Sequence, residues 1–145
     1  MTHTYNHAKH LLATGALNLA TADLRVALVM TNTTADTELD VTSLAGFSTL
    51  DEMDGANYAR QAFAGEALTK DAANNRTELD ADDPVFASLG AGTRQVAGAL
   101  VYQHVDGTPA NDIPIAYYNG GGYPFDATGS DVTCQIDAQG FLQVR

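Results

Sequence analysis

Apolar and polar residues alternate over short stretches through most of this chain, a pattern typical of β-strands. Gly, Asn, Asp and Pro residues punctuate the pattern at intervals of roughly ten residues, as in all-β domains. The clearest β-type run covers residues 95–105 and is followed by Asp106-Gly107 and a second run over 113–118. We predict an antiparallel hairpin there. Residues 23–30 are almost continuously apolar, which predicts a strand buried on both faces.

Helical spacing is confined to residues 5–14, where Ala8, Leu11 and Leu12 form one apolar stripe. We expect Thr4 or Asn6 to cap the start of this helix and Gly15 to end it. Residues 31–54 are rich in Thr, Ser and Asp and lose the strand pattern. They are predicted to form a long loop with short elements near 41–44 and 50–53. Loops of this size in a compact domain are usually functional or mobile.

The whole chain, residues 1–145, is interpreted as one domain, with 58–145 mainly antiparallel strands. The predicted fold is mostly β: a β-sandwich or a small barrel-like antiparallel domain with one short N-terminal helix. Besides the runs above, strands are expected over 58–63, 66–70, 76–80, 85–89, 132–136 and 141–144.

The charge balance disfavours two classes of partner. The 145 residues include 18 acidic and 7 basic side chains, a formal net charge of −11. Because the basic residues are isolated, the chain offers no patch for phosphate groups, so we expect neither nucleic acid nor an anionic membrane as partner. No apolar run reaches the ~20 residues that cross a bilayer, and the opening residues do not have the pattern of a secretory signal.

Two clusters have the residue types of metal ligands. His3, His7 and His10 are spaced i, i+4 and i+7, which on one helical face would suit zinc or nickel. The segment has no carboxylate to orient the imidazoles, so a polar stripe or a pH-sensitive contact is an equally simple interpretation.

The second cluster of candidate ligands is acidic and lies in the sequence Asp80-Ala-Asp-Asp-Pro84. Asp-Pro sequences of this kind also form turns. Calcium favours crowded carboxylates, but the glycine and distal glutamate of a calcium-binding loop are missing. We therefore predict no metal and no cofactor. The acidic candidates are Asp80, Asp82 and Asp83, with a similar group at Asp51, Glu52 and Asp54.

No motif of an enzyme stands out, and we predict that the chain is not one. No serine lies in a Gly-x-Ser-x-Gly turn. Cys134 lies in an alternating run and is interpreted as a structural residue. Residues 120–122 are three glycines without the lysine and helix of a phosphate-binding loop, so they are interpreted as a flexible turn. A pair of catalytic carboxylates would need a three-dimensional arrangement that spacing does not reveal.

Tyrosines are the candidate interface residues. Tyr117 and Tyr118 are adjacent in a predicted strand, so they point to opposite faces and at least one is expected to face outwards or into a partner. Tyr123 follows in the next segment, and Tyr5 lies beside the helix. Packing within the core is the alternative for each of them, while aromatic anchors are common at protein interfaces.

The order of the elements adds a resemblance. A Tyr5-Asn-His-Ala-Lys-His-Leu-Leu12 opening is followed by Leu24-Arg-Val-Ala-Leu-Val29, by Tyr58-Ala-Arg60 and by Leu79-Asp-Ala-Asp-Asp-Pro-Val-Phe86. Val96-Ala-Gly-Ala-Leu-Val-Tyr102, Ile113-Pro-Ile-Ala-Tyr-Tyr118 and a closing Gly140-Phe-Leu142 complete it. Over nearly its whole length the chain resembles small virion structural proteins of tailed bacteriophages, the class that includes capsid decoration (cement) proteins.

The resemblance implies a non-enzymatic protein, made in the host cytoplasm, that binds the outer surface of the virion shell and stabilises it. Its partners would be the major capsid protein and copies of itself. The helix with its flanking residues, the 31–54 loop and exposed strand edges are the candidate contact regions. A tail or neck component of the same kind of virion and, further away, a small acidic enzyme or ligand-binding domain are the alternatives.

Overall fold

Ten β-strands and one α-helix follow one another along residues 3–144, the part of the chain that our computed structural model describes. The mostly β fold class is therefore confirmed, and no helix in this part is long and apolar enough to cross a membrane. The strands are β1 (His3–Thr4), β2 (Leu24–Met30), β3 (Gln61–Ala62), β4 (Ala67–Asp71), β5 (Arg76–Asp80), β6 (Val85–Phe86), β7 (Val96–Gln103), β8 (Ile113–Tyr118), β9 (Val132–Thr133) and β10 (Leu142–Val144), and helix α1 spans Asn6–Thr14.

A five-stranded antiparallel sheet in the order β1-β8-β7-β2-β3 forms the centre of the domain. The predicted hairpin is confirmed, because β7 pairs antiparallel with β8. Two smaller antiparallel sheets have the orders β10-β5-β4 and β6-β9. The large sheet is open, since β1 and β3 are its edges, and it has not closed into a barrel.

Strand β2 is buried on both faces, as its apolar run predicts. Leu24, Val26 and Leu28 point to one side of the large sheet, which we call the first face. Ala27 and Val29 point to the opposite side, the second face. Full burial of a Leu or Val side chain contributes about 1.5–3 kcal/mol, so this strand needs apolar cover on both sides.

The small sheets and helix α1 cover the first face. Leu79 from β5, Leu142 from β10 and Phe86 from β6 join the same buried cluster as the β2 residues. Ala8 of α1 is fully buried in that cluster. This layering of small sheets on a large one corresponds to the sandwich among the predicted architectures.

Residues 31–54 cover the second face, so the predicted long loop is a packed element of the domain. Ala35, Leu44 and Phe47 are buried there. Phe47 meets the ring of Tyr5 edge-on, with 5.6 Å between the ring centroids. A 3-10 turn at Leu44–Gly46 overlaps the short element predicted near 41–44 at Leu44 only.

The ends of helix α1 agree with the sequence at one end only. Gly15 ends the helix in the left-handed conformation (φ 75°), and its N–H faces the carbonyl groups of Leu11 and Leu12. At the start, the prediction of a cap by Thr4 or Asn6 is wrong, because Tyr5 occupies that position without a side-chain cap. The hydroxyl of the buried Tyr5 donates a hydrogen bond instead to the carbonyl of Ala35, at 2.6 Å.

Three predicted strands are shorter than expected because their ends bond to other groups. The run over 58–63 pairs only at Gln61–Ala62, since the residues before it belong to a polar cluster described below. The run over 85–89 ends at Phe86, and Ser88 adopts a left-handed φ of 48°. The run over 132–136 ends at Thr133, after which the N–H of Ile136 donates to the Asp83 carboxylate.

Gly98 in β7 supports a prediction about packing on the second face. A Cβ atom at this position would lie 2.5 Å from the Tyr117 hydroxyl oxygen and 2.6 Å from two ring carbons of a side chain that is 1% exposed. We expect Gly98→Ala to lower the free energy of unfolding by about 1–3 kcal/mol, as overpacking does. Urea unfolding measures the change. Gly120→Ala is the matched control, because open space surrounds that position; equal stability of the two variants would contradict the prediction.

Candidate functional site

A groove of about 870 Å³ lies on the first face of the large sheet. Its floor consists of Val26 from β2, with Ala99 and Val101 from β7. These three side chains belong to the first-face core, so the groove is a place where the cover over that core is incomplete.

Two extended segments form the walls of the groove, and both point apolar side chains inwards. In residues 132–136, Val132, Cys134 and Ile136 are half-buried, whereas the residues between them are exposed. Across the groove, Tyr123 and Phe125 are half-buried on either side of the exposed Pro124. This period-two alternation is the strand pattern that the sequence carries, although most of these residues have no strand pairing.

Two pairs of aromatic rings line the groove. Phe63 and Phe141 stack in parallel with 4.5 Å between their centroids. On the other wall, Tyr123 and Phe125 lie 5.5 Å apart at an angle of 42°. Aromatic pairs in offset or tilted geometry contribute about 0.5–1.5 kcal/mol beyond the area that they bury, so these walls are held in place.

The polar groups of the groove are hydroxyls, a thiol and carboxylates. Tyr118 and Tyr123 are half-buried, and burial raises the pKa of both phenols, so the hydroxyls stay protonated. The Tyr123 hydroxyl lies 3.7 Å from the Cys134 sulfur. Asp83 and Asp137 also line the groove, and none of its described lining residues is basic.

A separate polar cluster, which we call the Arg60 cluster, lies at the margin of the second face. Arg60 forms two parallel hydrogen bonds of 2.7 Å to the carboxylate of Glu52. The Tyr58 hydroxyl donates to the same carboxylate at 2.8 Å and accepts from the N–H of Leu28. The bonds to Glu52 raise the pKa of Arg60, and its guanidinium lies 5.1 Å from the centroid of the Tyr102 ring.

Asp112 is the buried anion of the Arg60 cluster, with a side chain that is 1% exposed. One oxygen accepts from Arg60 at 3.1 Å. The other oxygen lies 2.9 Å from Nδ1 of His104 and accepts from the N–H of Val105. A buried carboxylate needs such partners, because an unpaired buried charge costs several kcal/mol. Asp112 thus fixes the end of the loop that joins β7 to β8.

The His104–Asp112 pair has the geometry that orients a general base in hydrolases, where the carboxylate holds the second ring nitrogen. Such a base acts on a nucleophile within hydrogen-bonding reach. Within residues 3–144, no serine, threonine or cysteine hydrogen-bonds to His104. The contacts of the Arg60 cluster are ion pairs and hydrogen bonds within the chain.

The three histidines do not share a helical face, so that expectation is wrong. His3 lies in β1, where the chain is extended, while His7 and His10 lie in α1. The half-buried His3 ring contacts Tyr5 and Tyr117, and burial lowers its pKa. In the described part of the chain, no group of three His, Cys, Asp or Glu side chains could hold a metal ion.

Most of the acidic candidates accept hydrogen bonds from backbone N–H groups. Asp80 accepts from the N–H of Ala81, and Asp83 accepts from the N–H of Ile136 at 2.7 Å. The carboxylate of Asp82 lies against Gly65. In the second group, Asp54 holds Thr93, and its hydrogen bonds lower its pKa. The Asp80 contact is local, whereas the Asp83 and Asp54 contacts join segments that are distant in sequence.

The four candidate tyrosines divide by burial. Tyr5 and Tyr117 are 0% and 1% exposed, so packing within the chain accounts for both, and burial raises the pKa of Tyr117 to about 12. Tyr118 packs on the opposite face from Tyr117, as the alternation predicts, and lines the groove with Tyr123. Of the four, these two are accessible to a partner.

Sequence reasoning missed the Arg60 cluster. Its members are far apart in the chain, with 52 positions between Arg60 and Asp112, and each alone is an ordinary polar residue. The only local signal is an arginine in a predicted strand of a chain with few basic residues.

Comparison with known proteins gives no functional assignment, since no family model, curated protein or solved structure is similar enough to match this chain. Its function is therefore argued from the sequence and the geometry described above.

Removing the Asp112 carboxylate tests the Arg60 cluster. Asp112→Ala leaves the half-buried Arg60 without one of its two partners and the N–H of Val105 without its acceptor. We expect a loss of about 2–4 kcal/mol in the free energy of unfolding. Asp23→Ala, which breaks the exposed pair with Arg25, is the control and should cost less than about 1 kcal/mol. Similar losses in urea unfolding would refute the assigned role.

Cys134 offers a test of the groove wall. Burial raises the pKa of its thiol, so little thiolate is present at pH 8. We expect the folded chain to react with 5,5′-dithiobis(2-nitrobenzoate) at least about tenfold more slowly than the chain unfolded in urea. Equal rates would show that the wall over residues 132–136 does not enclose the thiol.

Proposed function

We propose that this chain is a non-enzymatic structural protein of a tailed-bacteriophage virion, most simply a capsid decoration protein on the outer surface of the shell. The resemblance of its sequence to that class supports the proposal. So does the net charge of −11, because a strongly acidic protein is repelled by packaged DNA and suits an outward position.

The observation that carries the proposal is the open edge of the small β10-β5-β4 sheet. β4 (Ala67–Asp71) pairs with β5 on one side only, and four of its five residues are exposed. An unpaired strand edge is a template on which another chain can add a strand. Strand addition at such an edge provides main-chain hydrogen bonds to a neighbouring subunit.

The same small sheet has an apolar face that extends beyond the core. Leu68, Leu79 and Leu142 form one row across its three strands. Leu79 on the central strand β5 and Leu142 on β10 are buried, while Leu68 on the edge strand β4 is 45% exposed. Val144 is on the same face one pair further along and is also 45% exposed. Apolar side chains beside an open edge favour burial against a partner.

The first experiment is quantitative mass spectrometry of purified virions. A decoration protein should be present at a simple lattice ratio to the major shell subunit, such as one to one. A ratio of a few hundredths would support a tail or neck position instead, and absence from virions would overturn the proposal.

A variant connects the small sheet to that function. We expect Leu68→Lys to weaken binding to undecorated shells at least about tenfold, equivalent to about 1.4 kcal/mol, because a charge would be desolvated in the contact. Cosedimentation with shells measures the affinity. Val105→Lys is the matched control, since Val105 is 49% exposed on the β7–β8 loop. An unchanged affinity for Leu68→Lys would exclude this sheet as the contact surface.

A further inference from the structure

Among its described lining residues, the groove on the first face has acidic side chains and no basic ones. Its floor is apolar, and its walls carry apolar side chains together with two phenols, one thiol, two carboxylates, the Thr133 hydroxyl and the Gln135 carboxamide. The groove therefore combines apolar surface with negative charge. A ligand complementary to it carries apolar groups together with positively charged donors.

Tyr118 offers a polar group to an occupant of the groove. Its side chain is half-buried and lines the groove, yet its hydroxyl has no hydrogen-bond partner within residues 3–144. The hydroxyls of Tyr5 and Tyr58, in contrast, are both hydrogen-bonded inside the domain. The Tyr118 hydroxyl is therefore available to donate a hydrogen bond to a ligand in the groove.

The two carboxylates are fixed and only partly used. One oxygen of Asp83 accepts from the N–H of Ile136, and one oxygen of Asp137 accepts from the N–H of Gln139. In each group the second oxygen has no partner in the described chain. Asp83 also lies near enough to Cys134 for its charge to add to the burial that raises the pKa of the thiol. A guanidinium or ammonium group could bond to these free oxygens.

The wall over residues 132–136 suits an extended chain. It alternates in the manner of a strand. Val132 and Thr133 pair with β6, and the N–H groups of Cys134 and Ile136 donate to the Pro84 carbonyl and the Asp83 carboxylate. Volumes of 300–1,000 Å³ are typical of ligand sites, so about 870 Å³ accommodates several apolar side chains.

We propose that the groove binds an extended segment of another protein in which an apolar side chain is flanked by lysine or arginine. This inference rests on the proposed function, since the segment would belong to a neighbouring virion subunit. The apolar side chain occupies the floor above Val26 and Ala99. The basic residue bonds to the free oxygens of Asp83 and Asp137, and the Tyr118 hydroxyl binds the segment's backbone or side chain.

The test is selection from a display library of random linear heptapeptides on the purified full-length chain. We expect enrichment of peptides with one or two large apolar residues beside Lys or Arg. A selected peptide, synthesised and added in excess, should slow the reaction of Cys134 with 5,5′-dithiobis(2-nitrobenzoate). Absence of enrichment, enrichment of peptides without basic residues, or unchanged Cys134 reactivity would each overturn the proposal.

Paired variants separate the site from general charge attraction. Asp83→Asn with Asp137→Asn keeps the amide-accepting oxygens but removes two charges, and it should weaken the selected peptide at least about tenfold. The control, Asp40→Asn with Asp106→Asn, changes the net charge equally at contacts outside the groove. Equal weakening by both pairs would overturn the assigned site. Tyr118→Phe should weaken peptide binding about threefold to tenfold, because one hydrogen bond is lost. An unchanged affinity would show that the Tyr118 hydroxyl does not bind the peptide.

The outcomes distinguish this inference from the proposed function. If virions contain the chain at a lattice ratio but the groove selects no basic peptide, the structural role stands and the groove inference fails. If the groove selects basic peptides but virions do not contain the chain, the virion proposal fails alone. Protection of Cys134 that increases with the concentration of the chain itself would replace the basic segment with a second copy, and would overturn the inference.

Discussion

Burial of the β2–β7 strand pair on both faces is the constraint on which the rest of the domain depends. A strand with apolar side chains on two sides cannot remain at a surface, because each exposed Leu or Val forgoes about 1.5–3 kcal/mol. The other elements act as cover for one face or the other. Residues 31–54 cover the second face, while helix α1 and the two small sheets cover the first. The groove and the open edge of β4 both lie on this first-face cover, which is assembled from short pieces.

The Arg60 cluster explains how so long a loop can act as cover. Glu52 is bridged to Val29 at the edge of β2, and its carboxylate holds Arg60, which in turn holds Asp112 at the start of β8. The backbone carbonyl of Asp112 also accepts from the N–H of Leu44 in the middle of the loop. Asp112 therefore joins segments that are distant in sequence: its carboxylate binds Arg60 and the β7–β8 loop, and its backbone carbonyl binds the 31–54 loop. Removal of the carboxylate should loosen the cover and leave the strands paired.

The elements with a strong local pattern could be predicted from the sequence, and those fixed by distant partners could not. β2 and the β7–β8 hairpin follow from continuous apolar runs and a Gly-containing turn, and Gly15 ends the helix as expected. Strand β9 ends at Thr133, and the N–H of Ile136 then donates to the carboxylate of Asp83, which is 53 positions away in the sequence. The groove could not be predicted either. Tyr118 and Tyr123 are half-buried because the short segments that cover the first face leave a gap between them. Alternation in residues 132–136 was visible, but it does not reveal which face stays uncovered.

The placement of charge relates the two candidate surfaces to each other. Of the seven basic residues, Arg60, Arg76 and Arg94 are already paired with carboxylates of the chain, and Arg25 is paired with Asp23. The excess of acidic groups therefore remains without internal cations, so the surface favours partners that bring positive charge. At the β4 edge, Leu68 and the strand backbone supply contacts that do not depend on charge. At the groove, the free carboxylate oxygens supply the charge-dependent part. An interface that used both surfaces would gain affinity from the β4 edge and selectivity from the groove carboxylates. Complementary charge contributes more to specificity than to affinity.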